Sequence, residues 1–452
     1  MKVLLTQPLT RHIKDVPNIP DLGLGYLAAA LRNSGHQPLV LDWNMRCDER
    51  GFKDFLLSER PELVGVKIFT KDVKAAQITV SLIREALPHA AIVIGGPHPS
   101  ALEAPDLMDD FRDVDFAIRG EAETSLPALA SALQNRPDKS APLINPAHIR
   151  GIAGLVWRDG GRVRSNPISF VHKLDEIGFP AWDLIDPKDY SATVLGVDMK
   201  EGRSAPIIMT RGCPSHCTFC TAFNVNGRAI RTRTPENVFE EMKLLYSRYN
   251  VRTFMFQDNC FTSGKKNLLT LCEMIIRGNL RVEWDCVSYE SLSSLDNETV
   301  PLMYKAGCRM IHMGIEAGCE STRKRINKGG SLKEIAQKAA LVKSHGVRVG
   351  AWFMLGFPEE TFREMLATVR YAFSLKADLV TFTPCFPLPG TEVYEYTRRK
   401  YALKKIDWAL FDIDASSYSM SRISSSQLRA FIKLLRLRIR AARLMKRFGL
   451  GA

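Results

Sequence analysis

The chain has 452 residues, 45% hydrophobic and 25% charged, the proportions of a globular protein with apolar material for two or three domains. No run of about 20 uninterrupted apolar residues is present and the opening MKVLLTQPLTRH turns polar too early for a signal peptide, so a cytoplasmic protein without a membrane-spanning helix is expected. The net charge is +13, but nine Lys/Arg and no Asp/Glu lie between Ser421 and Phe448, leaving +4 elsewhere, and such a basic tail does not indicate a nucleic-acid surface.

The first 135 residues alternate apolar strands with amphipathic helices. KVLLTQ reads as a strand and LGLGYLAAALRNSG as a helix stopped by Gly35. PLVLDW, LVGVKIF, AAIVIGG and VDFAIRG read as further strands, with DVKAAQITVSLIREALP and TSLPALASAL as helices. Apolar strands separated by helices form a parallel sheet covered on both faces. Residues 1–135 are therefore expected as a doubly wound, Rossmann-like α/β domain. Ligands of such folds lie at the carboxyl ends of the strands, where Thr70, Gly95, Gly96 and Gly120 fall. The glycines admit close approach of a bulky ligand, and Thr70 offers a hydroxyl. Residues 136–195 read as a connector with a hairpin turning at Asp159-Gly160-Gly161.

In residues 196–400, IIMTRG, TFMFQD, VEWDCVS, MIHMGIEA, RVGAWFML and LVTFTPC read as strands. Helical runs such as TPENVFEEMKLLYSRY and SLKEIAQKAALVKSHG separate most of them. Six such strands predict a partial or complete (β/α)6 barrel with its site at the strands' carboxyl ends. Residues 401–452 read as a helical segment. Leu428, Phe431, Leu435, Ile439, Ala442 and Met445 form an apolar stripe, and Arg429, Lys433, Arg436, Arg440, Arg443 and Arg447 a basic one. This segment either covers the barrel with a solvated face, or lies on an anionic membrane and holds the protein peripherally at the inner membrane surface.

Metal chemistry concentrates in RGCPSHCTFC, which spaces Cys213, Cys217 and Cys220 as Cys-x3-Cys-x2-Cys. Three thiolates on one tight loop can take three irons of a cubane and leave the fourth iron open. A structural zinc site takes four ligands, for which the loop adds only His216. An electron-transfer ferredoxin would supply a fourth cysteine nearby, whereas the next here is Cys260. The length of the chain and the lack of a secretion signal argue against disulfides, and the later cysteines read mostly as core thiols.

The spacing, the aromatic Phe219 before the last cysteine, and the position after the first barrel strand resemble the radical S-adenosylmethionine superfamily. The resemblance implies a [4Fe–4S] cluster on Cys213, Cys217 and Cys220. Its open iron would chelate S-adenosylmethionine, and electron transfer would release a 5′-deoxyadenosyl radical. TFMFQDNCFT resembles the second-strand motif and implies Gln257 and Asp258 near the methionine amine, though a Gly-Gly-Glu of the family reads Phe256-Gln257-Asp258 here. MGIEAGCESTRKRINKG implies Glu316 as a ribose or methionine contact. VGAWFMLGFPEET resembles the segment that packs on adenine and implies Leu355 as a contact. FPLPGTEVYE resembles the sixth-strand end of the cobalamin-associated branch.

Ahead of the barrel, DLGLGYLAAALRNSGHQPLVLD, VIGGPHPSALE and IRGEAETSLPAL resemble in order the cobalamin-binding domain that precedes many of these barrels. The resemblance implies cobalamin contacts at Thr70, Gly95, Gly96, His98, Gly120 and Glu121. The Asp-x-His-x-x-Gly motif that gives cobalt a histidine is absent, so base-off cobalamin without a histidine ligand is expected. His98, in a turn between two prolines, reads as shaping its loop. The whole is similar to class B radical S-adenosylmethionine methyltransferases, related to the anaerobic porphyrin cyclase and hopanoid-modifying branch. That implies cobalamin-dependent methylation of an unactivated carbon on a small molecule or lipid, an external electron donor such as flavodoxin or ferredoxin, and no nucleic-acid partner. Radical oxidation, cyclisation or rearrangement without methyl transfer is one alternative, and a non-enzymatic corrinoid or redox sensor another. A methylthiotransferase would carry three N-terminal cysteines, whereas residues 1–135 here hold only Cys47. The sequence assigns no catalytic side chain and no particular substrate.

Overall fold

Five short apolar segments form the parallel core of the first sheet in the computed structural model, which describes residues 1–9, 19–42, 48–135, 148–190, 202–288, 292–408, 411–412, 415–416 and 418–447. They are β1 (Lys2–Thr6), β2 (Gln37–Leu41), β3 (Leu63–Lys67), β4 (Ala91–Gly95) and β5 (Phe116–Ile118), in the order β2-β1-β3-β4-β5. Val3, Leu4, Leu63, Val64, Ile92 and Ile94 are fully buried, so β1, β3 and β4 are covered on both faces and show no alternation, while the edge strand β2 opens with the exposed Gln37. The crossovers are α1 (Leu22–Asn33), α2 (Glu49–Glu59), α3 (Val73–Ala86), α4 (Pro97–Ala101), α5 (Ala104–Asp110) and α6 (Ser125–Gln134). The strand order reverses between β1 and β3, the switch point of a doubly wound sheet.

Local chemistry explains the ends of these helices. Asp21 caps α1 by accepting from the Leu24 amide, and Gly35 follows its end at φ 80, as its position predicted. The helix α2 is an addition to the expected elements. Only Phe52 and Leu56 of it are buried, too few positions to mark a helix by periodicity. His98 was expected in a turn, but its segment forms the short helix α4, with proline in the first turn where a missing N–H costs nothing.

The expected hairpin is β6 (Leu155–Asp159) and β7 (Arg162–Ser165), turning through Gly160 and Gly161 at φ 55 and 80. It joins the first sheet, since Ile118 pairs antiparallel with Leu155, giving seven strands in all. The borders expected at 135/136 and 195/196 fall at or inside 136–147 and 191–201, outside the described residues.

The second sheet runs β8 (Arg203–Ile207), β11 (Val251–Phe256), β12 (Glu283–Ser288), β13 (Cys308–Glu316), β14 (Arg348–Leu355) and β15 (Leu379–Pro384), each beside the next. Parallel pairing from β12 to β15 and sequential order make it an open barrel segment, the expected partial (β/α) barrel. Its first strand lies earlier than IIMTRG suggested. Thr210–Arg211 (β9) instead pairs with Arg231–Thr232 (β10) in a separate antiparallel ribbon. The helices of this half are α7 (Ala222–Asn226), α8 (Pro235–Arg248), α9 (Lys265–Arg277), α10 (Thr299–Lys305), α11 (Glu320–Arg325), α12 (Leu332–Ser344), α13 (Phe362–Ser374), α14 (Glu392–Lys400) and α15 (Ser425–Arg447). On α15 the buried residues are Leu428, Ile432 and Leu435, with Phe431 and Ile439 at the margin; of the expected stripe, Ala442 is exposed. The chain divides into two compact units, 1–213 with 221–254, and 214–220 with 255–452. Among the described residues no helix is long and apolar enough to cross a membrane.

Candidate functional site

The cysteine loop is pinned by its backbone. Gly212 opens it at φ 95, and a side chain there would place Cβ 2.0 Å from the Ala229 carbonyl oxygen. Only glycine fits that position. The Cys213 amide donates to Gly227 O at 3.2 Å. In the second unit, Thr218 N donates to Ile326 O, Val393 N to Thr218 O, and Asn327 Nδ2 to His216 O, all at 3.0–3.2 Å. Phe219 lies tilted on Phe357 at 5.6 Å between ring centroids.

Accessibility separates these thiols from most others in the chain. Cys213, Cys217 and Cys220 are partly exposed, whereas Cys260, Cys272, Cys286, Cys308 and Cys385 are buried. Burial pushes the thiols of Cys272, Cys286 and Cys385 well up, which disfavours the thiolate that binds metal. The loop cysteines thus form the donor set that suits an iron–sulfur cluster. Among the described residues no three His, Cys, Asp or Glu side chains converge to hold a single metal ion. Thiolates that each take a different iron of a cubane have no such point of convergence.

The strand ends of the second unit supply polar groups. Asp258 is buried just beyond β11, while its neighbour Gln257 is exposed. Glu316 ends β13 at φ 68, a left-handed conformation costly for a side-chain-bearing residue, where the β13–β14 register shifts. Lys328 Nζ is 4.0 Å from its carboxylate. Arg323, 1% exposed, donates to the carbonyls of Ile315 at 2.6 Å, Gly330 at 2.9 Å, and Gly329. It thereby ties the end of β13 to the loop bearing Lys328. Burial holds its pKa below the usual value. Arg323, Lys328 and Gly314 line a cavity of about 160 Å³. Leu355 is fully buried, and the preceding Met354 is partly buried against the core cluster that contains Phe357, as Phe219 is. Glu360 accepts from the amides of Gly356 at 2.7 Å and Phe357 at 3.2 Å, bracing the turn after β14; burial pushes its carboxyl up to about 7.

Five of the six residues expected at the first sheet's ligand edge come together there. Thr70 follows β3, and its Oγ1 lies 3.3 Å from His98 Nδ1. His98 is fully buried, edge-on to Phe111. Gly95 ends β4. Gly96 at φ 101 and Gly120 at φ 81 flank Ser100, whose Oγ donates to Gly96 O at 2.7 Å and accepts from Gly120 N at 3.0 Å. The close approaches at these two glycines are to protein, with Cβ positions 3.1 Å from Ile68 backbone and 2.6 Å from Ile168.

Glu121 faces a different neighbourhood. Its carboxylate takes a bidentate pair from Arg231 at 2.7 and 2.8 Å, the Val171 amide at 2.7 Å, and Arg211 at 3.3 Å. Arg211 also pairs with Glu123 at 2.7 Å. Burial opposes the Arg211 charge, but Glu123 and Glu121 outweigh it and hold its pKa above the usual value. Arg211 lies two residues before Cys213, so this buried network joins the end of β5 to the root of the cysteine loop. The sequence reading missed Arg211, Arg231, Ser100, Arg323, Lys328, Met354 and Glu360. The basic ones carried only a charge signal, which ordinarily marks a solvated face.

Residues 13–130 match the B12 binding domain, and residues 207–372 match the Radical SAM superfamily. An uncharacterized methyltransferase of Pyrococcus horikoshii is 28% identical over 96% of this chain and 91% of its own length. The anaerobic magnesium-protoporphyrin IX monomethyl ester cyclase of Rubrivivax gelatinosus is 25% identical over 84% of this chain and 66% of its own length. The structure of the radical S-adenosylmethionine methyltransferase TsrM from Kitasatospora setae, with tryptophan and the analogue aza-SAM bound, is similar with a TM-score of 0.68. That match has 21% identity and covers 88% of this chain and 76% of the other, a likeness of fold.

Proposed function

With a B12-binding domain and a radical S-adenosylmethionine domain on one chain, this protein is a radical S-adenosylmethionine enzyme, and we propose that it methylates an unactivated carbon of a small molecule or lipid with cobalamin as methyl carrier. The observation that carries this reading is the loop of three accessible thiols, pinned by backbone bonds, in a chain that opens with the B12-binding domain. When bound, a [4Fe–4S] cluster, S-adenosylmethionine and cobalamin supply reductive cleavage to a 5′-deoxyadenosyl radical and a transferable methyl group.

The protein's part is to hold, orient and exclude water. Cys213, Cys217 and Cys220 hold the cluster. Phe219 on Phe357 keeps one side of the loop apolar. Glu316, Gln257 and Asp258 orient the polar end of S-adenosylmethionine, and Leu355 with Met354 backs its apolar side. Thr70, Gly95, Gly96, His98 and Gly120 form the edge facing the corrinoid, which Glu121 braces through Arg231. The burial of His98 against Thr70 and Phe111 supports base-off cobalamin without a histidine ligand. Electrons come from an external donor such as flavodoxin or ferredoxin.

The test is anaerobic reconstitution with iron, sulfide and hydroxocobalamin, followed by S-adenosylmethionine labelled in its methyl group and a flavodoxin reducing system. Release of 5′-deoxyadenosine and labelling of cobalamin are expected. Feeding labelled methionine to producing and deletion strains should reveal a metabolite or lipid labelled only where the chain is present. The similarity to the cyclase over 84% of the chain favours a second reading, radical oxidation or cyclisation. Deoxyadenosine release with no labelled methyl on cobalamin or product selects that reading and sinks methylation.

A further inference from the structure

We propose that the outer face of α15 docks this enzyme on an anionic lipid surface. A covering helix needs one apolar face, and α15 has it. Leu428, Ile432 and Leu435 are each at most 5% exposed, and Phe431 packs edge-on to Phe362 at 5.2 Å. Gly356 lets that face approach closely, since a Cβ there would lie 2.4 Å from Leu428 Cδ2. Arg436 Nε reaches Phe382 O on β15 at 3.4 Å, and the Arg438 guanidinium lies 4.8 Å from the Phe373 ring.

The opposite face should then be polar, and it is not. Ala430, Leu434, Leu437 and Ala441 follow one another at i, i+4, i+7 and i+11, which places them in one row on a helix. All four are exposed, Leu434 at 64% and Leu437 at 50%. Helical geometry sets Arg429, Lys433 and Arg440, all exposed, along one flank of this row and Arg438 along the other. A short apolar row between basic flanks is the pattern of a helix lying in the headgroup region, with aliphatic groups entering shallowly and cations meeting phosphate. The charge argues for lipid over a second copy of the chain. Residues 421–448 hold nine Lys/Arg and no Asp/Glu, so two such faces would repel with no acid on either to pair them.

This attachment stands apart from the chemistry proposed above and is read without turnover. The full-length protein is sedimented with vesicles of equal parts phosphatidylcholine and phosphatidylglycerol, and with phosphatidylcholine alone. Binding to the mixed vesicles only, released by roughly 0.5 M salt, is expected. Leu434→Ser with Leu437→Ser should weaken binding about tenfold, and Arg429→Gln with Lys433→Gln and Arg440→Gln by at least as much. These residues are exposed, so melting curves of both variants should match the parent. Equal binding to both vesicles, no binding, or binding unchanged by the two variants overturns the proposal. So does a dimer in sedimentation velocity that the leucine variant dissolves, or capture of an acidic protein in place of vesicles.

Discussion

Single side chains decide the chemistry here, and their surroundings make separate predictions. Replacing Cys213, Cys217 or Cys220 by alanine should abolish iron and sulfide incorporation and the broad absorbance near 400 nm, while Cys272→Ala, in the core, should retain both. Iron retained in a loop variant would remove that cysteine from the ligand set. Glu121→Gln removes the carboxylate paired with the buried Arg231 guanidinium, while Arg211 keeps Glu123, with an expected loss of about 3 kcal/mol in denaturant unfolding. Lys173→Ala breaks a pair whose members are 78% and 67% exposed and screened by solvent, and should leave the denaturant midpoint unchanged. Glu360 predicts a pH dependence. Burial raises its folded-state pKa to about 7 from 4.5, so the fold binds this proton more tightly than the unfolded chain does. That contribution is full below about pH 4.5 and is lost as pH rises through about 7. Relative to Glu360→Gln, the parent should lose about 3 kcal/mol across that window. Parallel stability profiles for the two proteins would show that no proton is held there.

At the scale of elements, the β9–β10 ribbon decides where the cysteine loop begins. IIMTRG has a strand's composition, yet Thr210 and Arg211 leave the second sheet to pair with Thr232 and Arg231. Nothing within six residues distinguishes the two pairings; the partner lies some twenty positions on. Gly212 then turns the chain against Ala229. Gly212→Ala should therefore cost at least about 2 kcal/mol from the left-handed φ alone and lower iron incorporation with all three cysteines intact. Full iron loading in that variant would show that the ribbon does not set the loop. The helix α15 makes the complementary point. Its apolar stripe was legible in part, since Leu428 and Leu435 are buried as periodicity suggested, but the burial of Ile432 was not. Ile432 is buried and Leu434 exposed, a choice made by the strand beneath.

Across the whole molecule, the first sheet extends beyond the five parallel strands that read so clearly. Leu155 and Trp157 of the hairpin share one core with Leu126, Leu129 and Phe116, and the partner of Glu121 is Arg231. A fragment ending at residue 135 should accordingly lack a cooperative thermal transition, while the full chain shows one; a cooperative melt of the fragment would make the hairpin dispensable. The sequence by itself determined the three-thiol loop, the alternation of strands and helices, and the Gly35 stop, because each rests on spacing or backbone freedom within a few residues. It also carried the family resemblance, whose motifs are local strings in a given order. Tertiary structure alone decided that Glu121 is spent on Arg231, that Lys328 reaches Glu316, that Leu355 is fully buried while Met354 and Phe219 lie against the Phe357 cluster, and that α15 carries leucines outward. Burial and the choice of a charged partner depend on segments tens to hundreds of residues apart, which no local pattern encodes.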